Sequence, residues 1–193
     1  MYSLAFPAET VFGPGTLAEL PQRLPAHARI LLVTGASAAR NGLLEQLRQL
    51  LRDFPVTVAG FVPKEPSLGA VDQLCAEGRR IQAKAVVAVG GGSVIDAAKT
   101  AAALLPLEGV AADYFYGRRT IPGRGVWLAA LPTTAGTGAE ITPNAVLIDP
   151  ATQLKQSIRS PHMFADLALV DPELVASCPE SVIAASGMDA LTQ

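Results

Sequence analysis

Apolar residues fall along this chain in short unbroken runs rather than in simple alternation with polar ones. Residues 30–34 (ILLVT), 56–61 (VTVAGF), 86–89 (VVAV), 126–131 (VWLAAL) and 167–170 (LALV) are such runs. Runs of this length, rich in β-branched residues, predict strands covered on both faces, as in a parallel sheet. Between them the period changes. Leu43, Leu44, Leu47, Leu50 and Leu51 recur at the three-and-four spacing of a helix face within residues 42–53, and core packing explains that leucine set fully. A further helix is predicted over residues 68–82, after the proline-punctuated loop 62–67. Strand–helix units of about 25 to 30 residues predict an α/β fold, a Rossmann-like parallel sheet with right-handed crossovers.

The remaining segments are less regular. Residues 1–13 hold two apolar stretches split by Pro7-Ala8-Glu9 and predict an edge hairpin outside the main sheet, ended by Gly13-Pro14-Gly15. Thr16 is placed to cap a short helix through Leu24, with Pro21 near its start. Residues 106–125, with Pro106, Gly109, Gly117, Pro122 and Gly123, predict an irregular surface excursion. Residues 145–149 and 154–158 predict a hairpin closed by Pro150-Ala151-Thr152. From Pro179 the pattern becomes helical, with a hinge expected at Gly187.

Two loops carry candidate chemistry. Gly90, Gly91 and Gly92 follow a buried strand and precede an alanine-rich helix expected over residues 97–105. Glycines there let a ligand approach the backbone closely. Ser93 as N-cap and Asp96 three residues on resemble a capping box. A helix N-terminus behind such a turn suits a phosphate, because its first N–H groups lack partners and the macrodipole adds positive charge. The run is neither GxGxxG nor a P-loop. The second loop, Pro132-Thr133-Thr134-Ala135-Gly136-Thr137-Gly138-Ala139-Glu140, sets three hydroxyls and two glycines directly after another buried strand. Ligands of open α/β sheets bind beyond the carboxyl ends of the strands, where both loops are expected to lie.

Composition narrows the partners. The 193 residues are 50% hydrophobic and 17% charged, with a formal net charge of −2, which fits a compact domain and gives no broad basic face for nucleic acid. Arg79-Arg80 and Arg118-Arg119 read as solvated pairs. Cys75 and Cys178 lack any metal-binding spacing and read as reduced thiols, consistent with a cytoplasmic protein. No apolar run reaches the roughly 18 residues of a membrane span. His27 precedes a strand, His162 follows Pro161, and neither has ligand spacing.

The motifs GGGSVIDAAK (90–99), PTTAGTGAE (132–140), DLALVDPEL (166–174) and GMDALTQ (187–193), in this order, resemble the iron-containing, or group III, alcohol dehydrogenases. The resemblance extends over the whole chain but only about the first half of a family member. It implies a dinucleotide-binding α/β domain over residues 1–178, of the dehydroquinate synthase-like type. Residues 179–193 would begin an all-helical metal-binding domain that is essentially missing. By the same resemblance Gly91, Gly92 and Ser93, with Asp96, would serve the cofactor pyrophosphate. Thr133, Thr134 and Thr137 would line the pyrophosphate and nicotinamide side, and Lys155 falls where members carry a basic residue near the cofactor; a solvated hairpin lysine is the plainer alternative. Asp189 matches the first ligand of the family's GxDALxH pattern, for divalent iron or zinc. Gln193 stands where the histidine is expected, and a neutral amide oxygen is the weaker ligand.

NAD-preferring members commonly end the strand equivalent to residues 30–34 with an acidic residue. This chain has Gly35, with Ser37 and Arg40 close by, and losing that carboxylate removes repulsion against a 2′-phosphate. NADP is therefore expected to be tolerated or preferred over NAD. The implied activity is metal-dependent hydride transfer between an alcohol and NAD(P), by a homo-oligomer, with the isolated chain inactive. A non-catalytic nucleotide-binding fragment and a dehydroquinate synthase-like lyase are the alternatives.

Overall fold

A computed structural model describes residues 5–192. Its frame is a sheet of six parallel strands, with a two-stranded antiparallel hairpin beside it. In chain order the strands are β1 (Glu9–Phe12), β2 (Ile30–Thr34), β3 (Val56–Val58), β4 (Ala85–Gly90), β5 (Trp127–Pro132), β6 (Asn144–Asp149), β7 (Leu154–Arg159) and β8 (Leu167–Val170). The helices are α1 (Leu20–Arg23), α2 (Ala36–Arg40), α3 (Leu43–Leu50), α4 (Leu68–Arg80), α5 (Gly92–Leu104), α6 (Ala111–Phe115), α7 (Pro172–Val175) and α8 (Glu180–Thr192).

The sheet runs β1-β8-β5-β4-β2-β3, and β6 pairs with β7. Alternate residues of the central strands feed two cores. Leu31, Val33, Val86, Ala88, Leu128 and Ala130 face one, against α4, α5 and α6. Ile30, Leu32, Val87, Val89, Ala129 and Leu131 face the other, with Leu20, Leu43, Leu44, Leu47 and Leu174. Both faces are covered, which is why these strands read as continuous apolar runs. The strand order also reverses here: β3 lies on one side of β2, and β4 on the other. Such a switch point opens a crevice at the carboxyl ends of the two strands, where β2 leads into Gly35 and β4 into Gly91.

Several expectations are corrected. The described part of the N-terminal stretch joins the main sheet instead of lying outside it. Residues 9–12 pair in parallel with β8, Glu9 opposite Leu167 and Phe12 opposite Val170, and become an edge of the main sheet; residues 1–4 lie outside the described ones. Strand β3 is shorter than residues 56–61, because Ala59 and Val62 reach the core from irregular chain. The leucine helix starts at Leu43, after Gly42 with φ 82°, and a separate short α2 precedes it. Residues 106–125 are not merely a surface excursion. Their α6 buries Ala111, Tyr114 and Phe115, and the Ala111 N–H donates to the Asp72 carboxylate at 2.7 Å.

Arg79 is no solvated neighbour of Arg80: its guanidinium donates to the carbonyls of Leu104, Leu105 and Leu107, closing the C-terminal end of α5. Helix α8 passes through Gly187 without interruption. Among the described residues no helix is long and apolar enough to cross a membrane.

Candidate functional site

Helix α5 starts five residues earlier than expected, at Gly92, with Gly91 as its N-cap in extended conformation (φ −74°, ψ −178°). No side chain caps it. The Val94 and Ile95 N–H groups donate to the Gly91 carbonyl. Gly92 and Ser93 precede them, in the part of a helix whose N–H groups have no intrahelical acceptor. The capping box is therefore absent. Ser93 Oγ donates instead to the Lys64 carbonyl, tying the turn to the loop before α4.

The threonine loop closes over this turn. Strands β4 and β5 run in register to their ends, Gly90 opposite Pro132, and the Thr133 N–H donates to the Gly90 carbonyl at 2.9 Å. A methyl group on Gly91 would stand 3.3 Å from Thr134 Oγ1, and one on Gly92 would stand 2.9 Å from Thr137 Oγ1. The two glycines are thus the faces on which Thr134 and Thr137 rest. Gly35 meets the same helix from the β2 side, since a methyl there would lie 3.4 Å from Val94 Cγ2 and 3.7 Å from Ser37 Oγ. Gly35, Ser37, Gly91, Gly92, Ser93, Thr133, Thr134 and Thr137 therefore gather at the carboxyl ends of three adjacent strands, as the loop reading requires. The Thr133, Thr134 and Gly91 surfaces are half-buried, while Ser37 and Thr137 are exposed.

Two members of the expected set point elsewhere. Asp96 Oδ2 accepts the Val146 N–H at 3.0 Å, so its carboxylate ties α5 to β6. Burial raises its pKa, opposed by that N–H and by Lys99. Lys155, exposed on β7, pairs with Glu65 at 3.1 Å, beside the Lys64 carbonyl that holds Ser93.

Sequence reasoning passed over Lys99, fully buried in α5. Its ammonium donates to the carbonyls of Ala139 at 2.6 Å, Thr142 at 2.8 Å and Asn144 at 2.8 Å, with Asp96 Oδ1 at 4.0 Å. Burial lowers its pKa to about 8, against the pull of Asp96 and Glu140. An available signal was a lysine amid the alanines of a helix too apolar to have a solvated side.

Among the described residues no three His, Cys, Asp or Glu side chains gather into a metal site. Asp189 sits half-buried on α8, and Gln193 lies outside the described residues. The α8 backbone reaches the threonine loop directly: a methyl on Gly136 would lie 2.4 Å from the Ser186 carbonyl oxygen.

Comparison with known proteins identifies the family and the fold. The family model described as iron-containing alcohol dehydrogenase matches residues 7–172. The chain is 38% identical to long-chain-alcohol dehydrogenase 1 of Geobacillus thermodenitrificans, with 98% of this chain and 49% of that protein covered. It is 32% identical to the NAD-dependent methanol dehydrogenase of Bacillus methanolicus, covering 100% of this chain and 51% of that one. Among solved structures, sulfoacetaldehyde reductase from Bifidobacterium kashiwanohense in complex with NAD+ superposes with a TM-score of 0.91 at 32% identity, over 98% of this chain and 51% of that one. NADH-dependent butanol dehydrogenase A from Thermotoga maritima gives 0.92 at 27%, over 100% and 49%. The chain spans about half the length of the relatives it matches.

Proposed function

The chain belongs to the iron-containing alcohol dehydrogenase family, and from that premise we propose that it is the part of an alcohol-oxidising, carbonyl-reducing enzyme that binds NAD(P). The observation that carries this reading is the meeting of Gly91 and Gly92 with Thr134 and Thr137 at the carboxyl ends of β4 and β5, next to the switch point between β4 and β2. An uncapped helix start with threonine hydroxyls resting against it matches the charge and the hydrogen-bonding needs of a pyrophosphate.

In this proposal the N–H groups at the start of α5 bind the pyrophosphate, and the hydroxyls of Thr133, Thr134 and Thr137 orient it and the nicotinamide side. Gly35 and Ser37 border the adenosine end, where the missing carboxylate admits a 2′-phosphate, so that NADP is accepted alongside or ahead of NAD. The nicotinamide, when bound, supplies the acceptor or donor of a hydride. Asp189 is the carboxylate this chain offers to a divalent iron or zinc ion, the remaining ligands coming from outside it. Residues 1–178 form the dinucleotide-binding unit, and residues 179–193 open a helical one. The substrate is a small alcohol or aldehyde, the setting the cytoplasm and the assembly a homo-oligomer; the exposed Val182, Ile183, Met188 and Leu191 on α8 support self-association.

Calorimetric titration of the chain with NADH and NADPH tests the reading. Saturable binding of either nucleotide is expected, and heat no greater than dilution for both would overturn it.

A further inference from the structure

Helix α8 is 13 residues long and fully buries none of them. An isolated helix of that length is marginal in water, so a small number of contacts must hold it in place. Its own hydroxyls do not supply them. Ser186 Oγ donates to the Val182 carbonyl and Thr192 Oγ1 to the Met188 carbonyl, both within the helix. The exposures along α8 single out one face instead: Ser186 and Asp189 are half-buried, and every other residue of the helix is exposed. Three positions apart, the two stand on the same side, one turn above the other.

That face meets the threonine loop at Gly136. A methyl group built on Gly136 would lie 2.4 Å from the Ser186 carbonyl oxygen, 2.7 Å from Ser186 Cβ and 2.9 Å from the Ser186 carbonyl carbon. Two of these atoms are backbone and the third is bonded to it, so no change of rotamer in α8 makes room. The φ of Gly136 is not positive, in contrast to Gly138 with φ 59° two residues on. Gly138 is a glycine that its turn requires; Gly136 is one that α8 requires. At the near end, the chain enters α8 past Ser177, whose hydroxyl accepts from Asn41 Nδ2 at 3.0 Å. The helix is thus tethered before its first turn and seated near its middle.

We propose that Gly136 is a positioning residue: it is the seat on which α8 rests, and through it the threonine loop fixes where α8 holds the Asp189 carboxylate. This inference rests on the nucleotide site proposed above and gives its loop a second task. Thr134 and Thr137 flank Gly136 in the chain, so a nucleotide that engages their hydroxyls narrows the motion of the backbone between them. Whatever rests on that backbone is steadied with it. Occupancy of the glycine turn and order in α8 are therefore coupled, and by linkage each favours the other.

Amide hydrogen exchange of the whole chain, with and without saturating NADH or NADPH, tests this on the wild type and on Gly136→Ala. In the wild type, nucleotide is expected to slow exchange across residues 133–138 and also, by at least about threefold, across residues 183–190. In Gly136→Ala the added methyl lifts α8 from the loop. Residues 183–190 are then expected to exchange at least about tenfold faster than in the wild type and to lose their response to nucleotide, while residues 133–138 keep theirs. Thermal unfolding reports that the α/β body of the variant stays folded. Nucleotide protection of α8 that persists in Gly136→Ala overturns the inference, as does wild-type protection confined to residues 133–138. Where Gly136→Ala does not fold, Ala184→Pro decides, because it breaks α8 ahead of Ser186 without touching the loop. It is expected to bind nucleotide at least about threefold more weakly, and unchanged affinity overturns the coupling. A wild-type chain that binds neither nucleotide overturns the site itself, a result seen without any variant.

Discussion

Gly92 and Thr137 lie so close that one added methyl group on the glycine would fall 2.9 Å from the threonine hydroxyl. That is tighter than van der Waals contact, and the neighbour is a short side chain on a loop bonded at both ends. Gly92→Ala must therefore displace Thr137, and with it one wall of the proposed pyrophosphate site. Calorimetry is expected to show nucleotide affinity lower by at least about tenfold, about 1.4 kcal/mol, with the fold retained by circular dichroism. Wild-type affinity in this variant would mean that Thr137 does not line the site.

Gly35 has room for a side chain. Its backbone is extended, with φ −89° and ψ 164°, and a Cβ there makes only ordinary contacts with Val94 and Ser37. Gly35→Asp is expected to shift preference from NADPH towards NADH, because a carboxylate repels a 2′-phosphate and accepts from ribose hydroxyls. The ratio of the two dissociation constants measures it, and an unchanged ratio removes Gly35 from the adenosine end.

Lys99 makes stability depend on pH in a definite direction. Below about 8 both folded and unfolded chains carry its proton, and the cost of burying the cation is fully present. Between about 8 and 10.5 the folded chain releases the proton while the unfolded chain keeps it, so stability rises with pH across that window. The gain is on the order of 3 kcal/mol. Burial acts on Lys99 most strongly, opposed by the charges of Asp96 and Glu140, and Arg124, His162 and Asp166 line the same small cavity. Urea unfolding at pH 7, 8.5 and 10 is expected to show this rise in the wild-type chain relative to Lys99→Met; parallel profiles would contradict it.

Thr34 ends β2 fully buried, and among the described residues its hydroxyl has no hydrogen-bond partner. A buried unpaired hydroxyl costs free energy that a methyl group does not. Thr34→Val keeps the shape and the β-branching, and is expected to stabilise the chain by about 1 kcal/mol, a rise of roughly 2–4 °C in Tm. A lower Tm in a differential scan would show that the hydroxyl has a role.

Asp171 is 1% exposed, and its carboxylate accepts from the N–H groups of Gly15, Leu17 and Glu173 at 3.2, 2.9 and 2.9 Å. It caps α7 and holds the turn after β1 to the end of β8. Asp171→Ala leaves those donors without an acceptor and is expected to destabilise the chain by about 3 kcal/mol, read as a lower urea midpoint. A midpoint within error of wild type would show that water replaces the carboxylate.

The central strands and the glycine turn were legible because their information is local. Unbroken apolar runs such as residues 86–89 belong to strands covered on both faces, and consecutive glycines after such a run mark a close backbone approach wherever the strand lies. The threonine loop was legible for the same reason. By contrast, the N-terminal stretch reads as a hairpin because nothing in it names β8, about 160 residues away, as its partner. Asp96 reads as a capping residue because its spacing from Ser93 fits one, while its partner, the Val146 N–H, belongs to a strand 50 residues later.

The sequence by itself determined the α/β class, the order of the glycine-rich and threonine-rich loops and the family, since each depends on residues close together in the chain. Only the tertiary structure decided which polar side chains tie the frame together and which remain at the mouth of the two loops. Ser93, Asp96, Arg79 and Lys99 all look alike as polar residues near helix ends or faces. Their roles follow from backbone carbonyls and N–H groups brought to them from distant segments, and a backbone group leaves no mark in the sequence that says which side chain it will meet.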